Sequence, residues 1–335
     1  MLAAAVNNRL RNEPLQHESA LGWVGAGGRM GAQMVSRLLA AGKPVKVYNR
    51  TSAKLDGLLA QGAQAVGSPG ELASCDVVFV TVGGDGDFES VILGEHGLAA
   101  GPAVPSIIVD ATTVSADVSA SVRERAAERG VVLLAAAVSG NAKVIRAGRL
   151  SIVVSGERAA FEHVRPYLEL LGRRVTYAGE GERARLVKLA HNLYLGMVIQ
   201  ALVEITVLGS KAGIARADLL EFINDSVMGS AFSRYKSHAL VNLDFEPTFT
   251  LELLAKDLTL GLGLGESLEV PLPFSAAVRE SVLETIADGY GGQDFAALIE
   301  TRAKAAGIEL APENVSVPTG LESAPPARDG LQAVV

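Results

Sequence analysis

The chain has 335 residues, of which 49% are apolar and 20% charged, so it is long enough for two globular domains and too apolar for a disordered protein. Its net charge of −7 argues against a nucleic-acid partner, and its single cysteine, Cys75, excludes an intrachain disulfide or a thiolate metal cluster. The five histidines show no spacing typical of metal ligands, so we expect no metal site.

The ends of the chain differ in composition from its middle. Residues 1–18 lack the long apolar region of a secretory signal, and we expect a loose extension there. Residues 311–335 are rich in Pro, Ser and Gly and are expected to form a flexible tail. The most hydrophobic window, Leu193–Leu208, contains Gln200 and Glu204 and is short for a membrane span. We therefore expect a cytoplasmic protein with no membrane partner.

Between residues 19 and 182, short β-branched runs alternate with amphipathic helices. The predicted strands are Leu21–Val24, Val45–Tyr48, Ala63–Val66, Val77–Val82, Ile107–Asp110, Val131–Ala135, Ser151–Ser155 and Arg174–Tyr177. Strands separated by helices of this length form βαβ units, so the pattern predicts an α/β domain with a doubly wound, mostly parallel sheet of the Rossmann type.

Strand signals stop after residue 182, and residues 183–310 predict an all-helical second domain. The stretch Arg183–Gly213 has no proline and ends in glycine, which predicts a joining helix of about 28 residues. Apolar residues occupy nearly all its faces, but Lys188 and Asn192 lie four residues apart and hence on one face. A buried ammonium is costly without a partner or a task, so Lys188 is a candidate functional residue.

A glycine cluster, Gly25-x-Gly27-x-x-x-Gly31, follows the first predicted strand and precedes a helix. This is the context of a dinucleotide-binding loop, in which glycine lets the main chain approach a pyrophosphate at a helix N-terminus. The spacing is one residue longer than the common form. The alternative is a merely glycine-rich turn.

The end of the second strand bears on which nicotinamide cofactor is bound. An NAD site usually places a carboxylate there, whereas this chain has Asn49, Arg50, Thr51 and Ser52 before the first acid at Asp56. Arg50 can pair with a 2′-phosphate, which favours NADP. The alternative is an NAD site that uses Asn49 beside a solvated Arg50.

Several segments resemble the β-hydroxyacid dehydrogenases, the family of the 3-hydroxyisobutyrate dehydrogenases and the glyoxylate/succinic semialdehyde reductases. They are GWVGAGGRMGAQMVSRLLAAGKPVKVYNRT, VDATTVS, AAAVSGNAKVIRAGRL, GEGERARLVKLAHN and LLAKDLTLGL, in that order from Gly22. The resemblance extends to about Glu300.

The resemblance implies roles for individual residues. Lys188 would be the general acid/base, and Asn192 would orient the substrate beside it. The substrate-binding residues would be Thr113, Ser139, Gly140, Asn141, Phe249 and Asp257. The predicted cofactor-binding residues are Gly25, Gly27, Gly28, Arg29, Met30, Asn49, Arg50, Thr51, Val82, Gly83, Thr113 and Lys256.

The chemistry of hydride transfer agrees with these roles, because one proton must move at the substrate oxygen. A lysine whose pKa is lowered in an apolar helix can move it near neutral pH. The chain also departs from the family pattern: a proline is absent before Val138, Asn141 replaces a glycine, and His191 replaces an asparagine. His191 is either a hydrogen-bonded histidine between helices or a residue that tunes Lys188.

Together these features predict an NADP-preferring oxidoreductase that acts on a small β-hydroxyacid or on its semialdehyde or keto acid. An imine or amine reductase of the same architecture is the first alternative, although Lys188 argues against it. A non-catalytic NADP-binding module is the second. The apolar helical domain predicts a homodimer or homotetramer.

Overall fold

The structure is a computed structural model, and it describes residues 21–319. Within that range the chain divides into two compact units. The first unit contains residues 21–194 and 257–272, and the second contains residues 195–256 and 273–319. The predicted domains, 19–182 and 183–310, were divided at the residue where strand signals stop. The two compact units are divided within the long helix instead, which contributes residues to both.

The first unit is built on an eight-stranded sheet. Its strands are β1 Leu21–Val24, β2 Val45–Tyr48, β3 Gln64–Ala65, β4 Val77–Val80, β5 Ile107–Asp110, β6 Val132–Ser139, β7 Ser151–Ser155 and β8 Arg174–Gly179. The strand order is β3-β2-β1-β4-β5-β6-β7-β8, and all neighbours are parallel except β6 and β7. The predicted Rossmann-type, mostly parallel sheet is confirmed.

Helices and short turns connect the strands. The helices of this part are α1 Arg29–Ala40, α2 Asp56–Leu59, α3 Asp85–Leu93, α4 Ala116–Glu128, α5 Ala142–Arg146 and α6 Arg158–Leu171, with 3₁₀ segments at Ser52–Leu55 and Pro69–Ser74. Every residue of β1, β4 and β5 is buried, as expected for parallel strands covered on both faces. One face carries Trp23 stacked on Phe79, with ring centroids 4.9 Å apart.

Strand β6 extends to Ser139, beyond the predicted end at Ala135. The extension forms because Ala136 to Ser139 pair antiparallel with β7, in the register Ser139↔Ser151. Strand β4 is shorter than predicted and ends at Val80 rather than Val82. The extension of β6 places Val138 and Ser139 at the end of an ordered strand.

Helix α7 spans Arg183–Lys211 and has 29 residues, close to the predicted helix. Gly213 follows with φ +83°, the left-handed conformation in which helices commonly terminate. The helix is long and apolar enough to cross a membrane by length and composition, and half of its most apolar window is buried inside the protein.

The remaining helices are α8 Arg216–Asp225, α9 Ala231–Asn242, α10 Leu251–Ser267, α11 Pro273–Thr285 and α12 Leu298–Ala305, with a π-helical segment at Ile286–Tyr290 and a 3₁₀ turn at Phe295–Ala297. As predicted, strands are absent from residues 183–319, where the structure shows helices and one isolated bridge between Thr250 and Asp294.

Residues at the start of the predicted tail form hydrogen bonds with helices of the second unit. The carboxylate of Glu313 accepts hydrogen bonds from the N–H groups of Arg216 (2.7 Å) and Ala217 (3.0 Å), at the N-terminus of α8. The N–H of Val315 donates to the Asn242 side chain at 3.2 Å. Residues 311–319 form no helix or strand, and the flexible tail expected from residue 311 stays a prediction. Residues 1–18 and 320–335 lie outside the described residues.

Candidate active site

The glycine loop after β1 has the geometry of a dinucleotide cradle. Gly25 has φ +80°, and a Cβ atom on it would lie 1.9 Å from the carbonyl oxygen of Thr81. A Cβ on Gly31 would lie 2.5 Å from the Gly25 carbonyl oxygen. Gly25 therefore makes the tight turn, and Gly31 lets α1 approach the strands. This fits a bound pyrophosphate, which needs close access to the main chain at a helix N-terminus.

The extra glycine of this loop lies at the start of helix α1. Gly28 is the N-cap of α1 and donates its N–H to the Gly25 carbonyl at 3.1 Å. The N–H of Gly27 donates to the Asn49 side-chain oxygen at 3.1 Å, so the end of β2 is fastened to the loop. Arg29 and Met30 form the first turn of α1, whose main-chain N–H groups favour an anion, while the Met30 side chain packs on the core.

Arg50 lies at the end of β2 with 85% of its side chain exposed. Its guanidinium is 3.3 Å from the carboxylate of Asp87, which is itself 45% exposed. Exposed pairs of this kind contribute little to stability, so Arg50 can exchange Asp87 for a phosphate. Asn49 donates to the Thr51 carbonyl at 2.9 Å and holds this turn in place.

The loops after β4 and β5 are joined to each other. The N–H of Val82 donates to the Thr112 hydroxyl at 3.1 Å. The predicted contact of Val82 with the cofactor would therefore use its side chain or carbonyl group. Gly83 is exposed, and Thr113 is half-buried. Ser115, the N-cap of α4, donates through its N–H and hydroxyl to Asp85 at 3.0 and 2.9 Å. Sequence reasoning missed Thr112 and Asp85.

Lys188 is half-buried on α7, and its ammonium donates to the Val138 carbonyl at 2.8 Å. Val138 belongs to the β6 extension, so the pairing of β6 with β7 provides the acceptor that holds the ammonium beside Ser139. The predicted catalytic lysine and the predicted substrate-binding serine are thus brought together.

A chain of hydrogen bonds continues from Ser139. Its hydroxyl lies 2.9 Å from Nε2 of His191, and Nδ1 of His191 lies 2.9 Å from the Asn192 side-chain oxygen. The amide nitrogen of Asn192 donates to the Asp257 carboxylate at 2.5 Å. Asn192 and Asp257 are each 1% exposed. Asp257 on α10 therefore fixes the side chain of Asn192, one turn of helix from Lys188.

The surroundings of His191 disfavour its protonated form. Burial lowers the pKa of His191, the hydrogen bond to Asn192 opposes that shift, and the positive charge of Lys188 adds to it. His191 is hydrogen-bonded between β6 and α7 rather than between two helices, and a role in tuning Lys188 stays a prediction.

Gly140 and Asn141 follow β6 and begin α5. Gly140 has φ +138°, and a Cβ on it would lie 2.7 Å from a methyl of Val144. Asn141 is 8% exposed, and its side-chain oxygen caps α5 by accepting from the Val144 N–H at 3.1 Å. The cap uses one lone pair of the Asn141 oxygen, and the amide nitrogen is left for a contact with a substrate carboxylate.

A buried ion pair that sequence reasoning missed lies one turn before Lys188. The guanidinium of Arg185 donates to the Asp110 carboxylate at 2.6 Å and to the Thr112 carbonyl at 2.9 Å. Side-chain exposures are 2% for Arg185 and 0% for Asp110. The pair ties the start of α7 to the end of β5. The only signal in the sequence was that two basic residues, Arg185 and Lys188, lie three positions apart on an apolar helix.

Phe249 and Lys256 belong to the second unit, and their predicted contacts with substrate and cofactor stay predictions. Within that unit the Phe249 N–H donates to Asp294 at 3.4 Å, and Asp294 pairs with buried Lys236 at 2.5 Å. Among residues 21–319, no three His, Cys, Asp or Glu side chains are grouped to hold a metal ion.

Comparison with known proteins assigns the chain to a family. Residues 20–179 match the family model of the NAD binding domain of 6-phosphogluconate dehydrogenase. Residues 182–301 match the model for the NAD-binding of NADP-dependent 3-hydroxyisobutyrate dehydrogenase. The 2-(hydroxymethyl)glutarate dehydrogenase of Eubacterium barkeri is 31% identical over 292 residues, which cover 87% of this chain and 97% of that protein. The chain belongs to the β-hydroxyacid dehydrogenase family.

A second similar protein and a similar solved structure agree with this assignment. Glyoxylate/succinic semialdehyde reductase 2, chloroplastic, of Arabidopsis thaliana is 30% identical over 306 residues, covering 89% of this chain and 85% of that protein. The solved structure of Psf3 in complex with NADP+ and 2-OPP has a TM-score of 0.77 at 25% identity, covering 84% of this chain and 99% of that one. As a member of the β-hydroxyacid dehydrogenase family, the chain is an NAD(P)-binding oxidoreductase.

Proposed function

We propose that this family member is an NADP-preferring dehydrogenase that acts on the CH–OH group of a small β-hydroxyacid, or in reverse on the corresponding semialdehyde or keto acid. The observation that carries the proposal is the position of Lys188. Its ammonium is held on the Val138 carbonyl, beside Ser139 and one turn from the buried Asn192–Asp257 pair. The alternative of an imine or amine reductase gains no support from this lysine.

Lys188 acts at the substrate oxygen. In the reductive direction its ammonium donates a proton to the carbonyl oxygen, and in the oxidative direction its amine takes the hydroxyl proton. Asn192 is held by Asp257 and orients that oxygen. The cofactor, when bound, supplies the hydride chemistry at its nicotinamide. The glycine loop and the first turn of α1 would hold its pyrophosphate.

The carboxylate of the substrate would be recognised at the end of β6. Ser139 offers a hydroxyl there, and Gly140 exposes its main chain because a side chain at that φ would collide with Val144. A carboxylate at this position would lie beside Lys188, and the compounds named for two relatives, 2-(hydroxymethyl)glutarate and glyoxylate or succinic semialdehyde, each carry a carboxylate together with a hydroxyl or an aldehyde group.

The direct test is to follow nicotinamide absorbance with purified protein. The substrates are 3-hydroxyisobutyrate, 2-(hydroxymethyl)glutarate, glyoxylate and succinic semialdehyde, each with NADP(H) and with NAD(H). Turnover of at least one of them is expected, and it should be faster with the phosphorylated cofactor. No turnover of any of them, together with reduction of a cyclic imine by NADPH, would replace this proposal with the imine reductase alternative.

Arg50→Ala is expected to raise the KM for NADP about 10- to 100-fold and to leave the KM for NAD unchanged, because a charge-assisted contact to the 2′-phosphate is lost. Arg165→Ala removes a guanidinium from the solvated face of α6 and serves as the matched control. A second control, Asp87→Asn, frees Arg50 from its present partner and should not weaken NADP binding. Equal effects of Arg50→Ala on both cofactors would contradict a role at the 2′-phosphate.

We also propose a cytoplasmic homodimer or homotetramer. The support is a set of exposed apolar side chains in the second unit: Phe222 at 74%, Val227 at 99% and Met228 at 77% exposure. Contiguous exposed apolar patches mark surfaces that associate, and Val227 and Met228 are neighbours in the chain. Light scattering of the purified protein measures the mass directly, and a monomer at micromolar concentration would contradict the proposal.

A further inference from the structure

The hydrogen bonds around His191 have a defined direction. A carboxylate only accepts, so Asp257 requires the amide nitrogen of Asn192 on its side. The oxygen of Asn192 therefore faces His191 and requires a hydrogen on Nδ1. In the neutral imidazole, Nε2 is then an acceptor, and the hydroxyl of Ser139 donates to it.

This direction conflicts with binding an anion. When the Ser139 hydrogen points to His191, the oxygen presents only lone pairs to an incoming carboxylate. Turning the hydroxyl toward the carboxylate would leave Nε2 of the half-buried imidazole without a donor. A protonated imidazole removes the conflict, since it donates to Asn192 from Nδ1 and to Ser139 from Nε2, and it does so with the same heavy-atom positions.

We propose that binding of the substrate carboxylate is coupled to uptake of a proton by His191, which turns the hydroxyl of Ser139 toward the carboxylate. His191 is then a positioning residue that acts through Ser139. The inference rests on the proposed function, because it takes Ser139 as the group that meets the carboxylate.

The charges that face His191 agree with this coupling. Lys188 on the same helix disfavours a second positive charge in the ligand-free site, and burial acts in the same direction by lowering the pKa of His191. Asp257 on α10 is linked to His191 through Asn192, and β6 faces His191 with the Ser139 hydroxyl. An arriving carboxylate supplies the missing negative charge and raises the pKa of His191 in the complex.

The affinity of the site for a carboxylate should fall as the pH rises. Below the pKa of His191 in the free site, the affinity for a carboxylate is constant. Between that pKa and the higher pKa in the complex, the dissociation constant rises by up to about tenfold per pH unit. Substrate KM should therefore rise with pH in this window.

The experiment measures proton uptake by titration calorimetry of the NADP+-loaded protein with propionate, a carboxylate with no hydroxyl to oxidise. Titrations near neutral pH in phosphate and in Tris give the protons taken up per propionate bound. Wild type should take up a large fraction of one proton. His191→Asn should take up none, because an amide nitrogen donates to Ser139 at every pH, and its substrate KM should lose the pH dependence.

Propionate binding by wild type without proton uptake, or equal uptake by His191→Asn, would overturn the inference while turnover of hydroxyacids leaves the proposed function intact. If propionate does not bind and no hydroxyacid is turned over, the proposed function fails and the inference fails with it.

Discussion

Lys188→Ala is expected to lower kcat by about 10²- to 10⁴-fold, the range typical of a lost general acid/base. NADP affinity should stay at the wild-type value, because the glycine loop and the end of β2, not Lys188, are assigned to the cofactor. Small amines such as ethylamine should restore part of the activity, since they replace the missing proton donor. The measurements are steady-state rates with and without amine, and a fluorescence titration with NADPH.

The matched control for this prediction is Lys211→Ala. Lys211 is exposed on the last turn of the same helix, so the variant loses the same side chain from α7 away from Ser139. Its kcat should be close to the wild-type value. A Lys188→Ala variant that kept more than about a tenth of the activity would show that Lys188 does not move the proton.

Arg185→Met is expected to destabilise the first unit by about 3–5 kcal/mol, the typical cost of removing one partner of a buried ion pair. The loss arises because Asp110, which is fully buried, keeps a charge without its guanidinium. Trp23 is the only tryptophan of the chain and lies in the core of this unit. Its fluorescence during urea unfolding therefore reports the free energy of unfolding of the first unit.

The same variant has a defined pH dependence. Burial raises the pKa of Asp110, and the Arg185 guanidinium opposes that rise. Without the guanidinium, the folded-state pKa rises further above the unfolded value, and stability is lost as the pH increases through it. The loss of unfolding free energy relative to wild type should therefore be smaller at acidic than at alkaline pH. Arg165→Met, which breaks an exposed pair with Glu169, should unfold like wild type. An equally stable Arg185→Met would refute the assigned role of the pair.

Much of the fold was predictable because it depends on local patterns. The alternation of strands and helices predicted the parallel sheet, and the position of the glycine cluster between β1 and α1 predicted the cofactor loop. The four-residue spacing of Lys188 and Asn192 predicted that both would lie on one face of a long helix. Each of these inferences uses a period or a motif within about thirty residues of sequence.

The connections that complete the site were beyond such reasoning. Asn192 meets Asp257 across 65 residues, and Ser139 meets His191 across 52. These pairings depend on how distant elements pack. The antiparallel extension of β6 is of the same kind, because β7 supplies the pairing that the sequence of β6 does not reveal. The capping of α8 by Glu313 likewise could not be predicted, because it depends on where a segment with the composition of a loose tail lies in the fold.

The most direct test of the proposed chemistry is a deuterium-transfer measurement. The protein is incubated with NADP+ and 3-hydroxyisobutyrate, or the most active β-hydroxyacid of the panel, deuterated at the carbinol carbon, and the reduced cofactor is examined by NMR and mass spectrometry. We predict that wild type forms NADPH that carries deuterium at C4 of the nicotinamide and that Lys188→Ala forms much less of it. Reduced cofactor without deuterium, or no reduced cofactor from any β-hydroxyacid, would contradict the proposed chemistry.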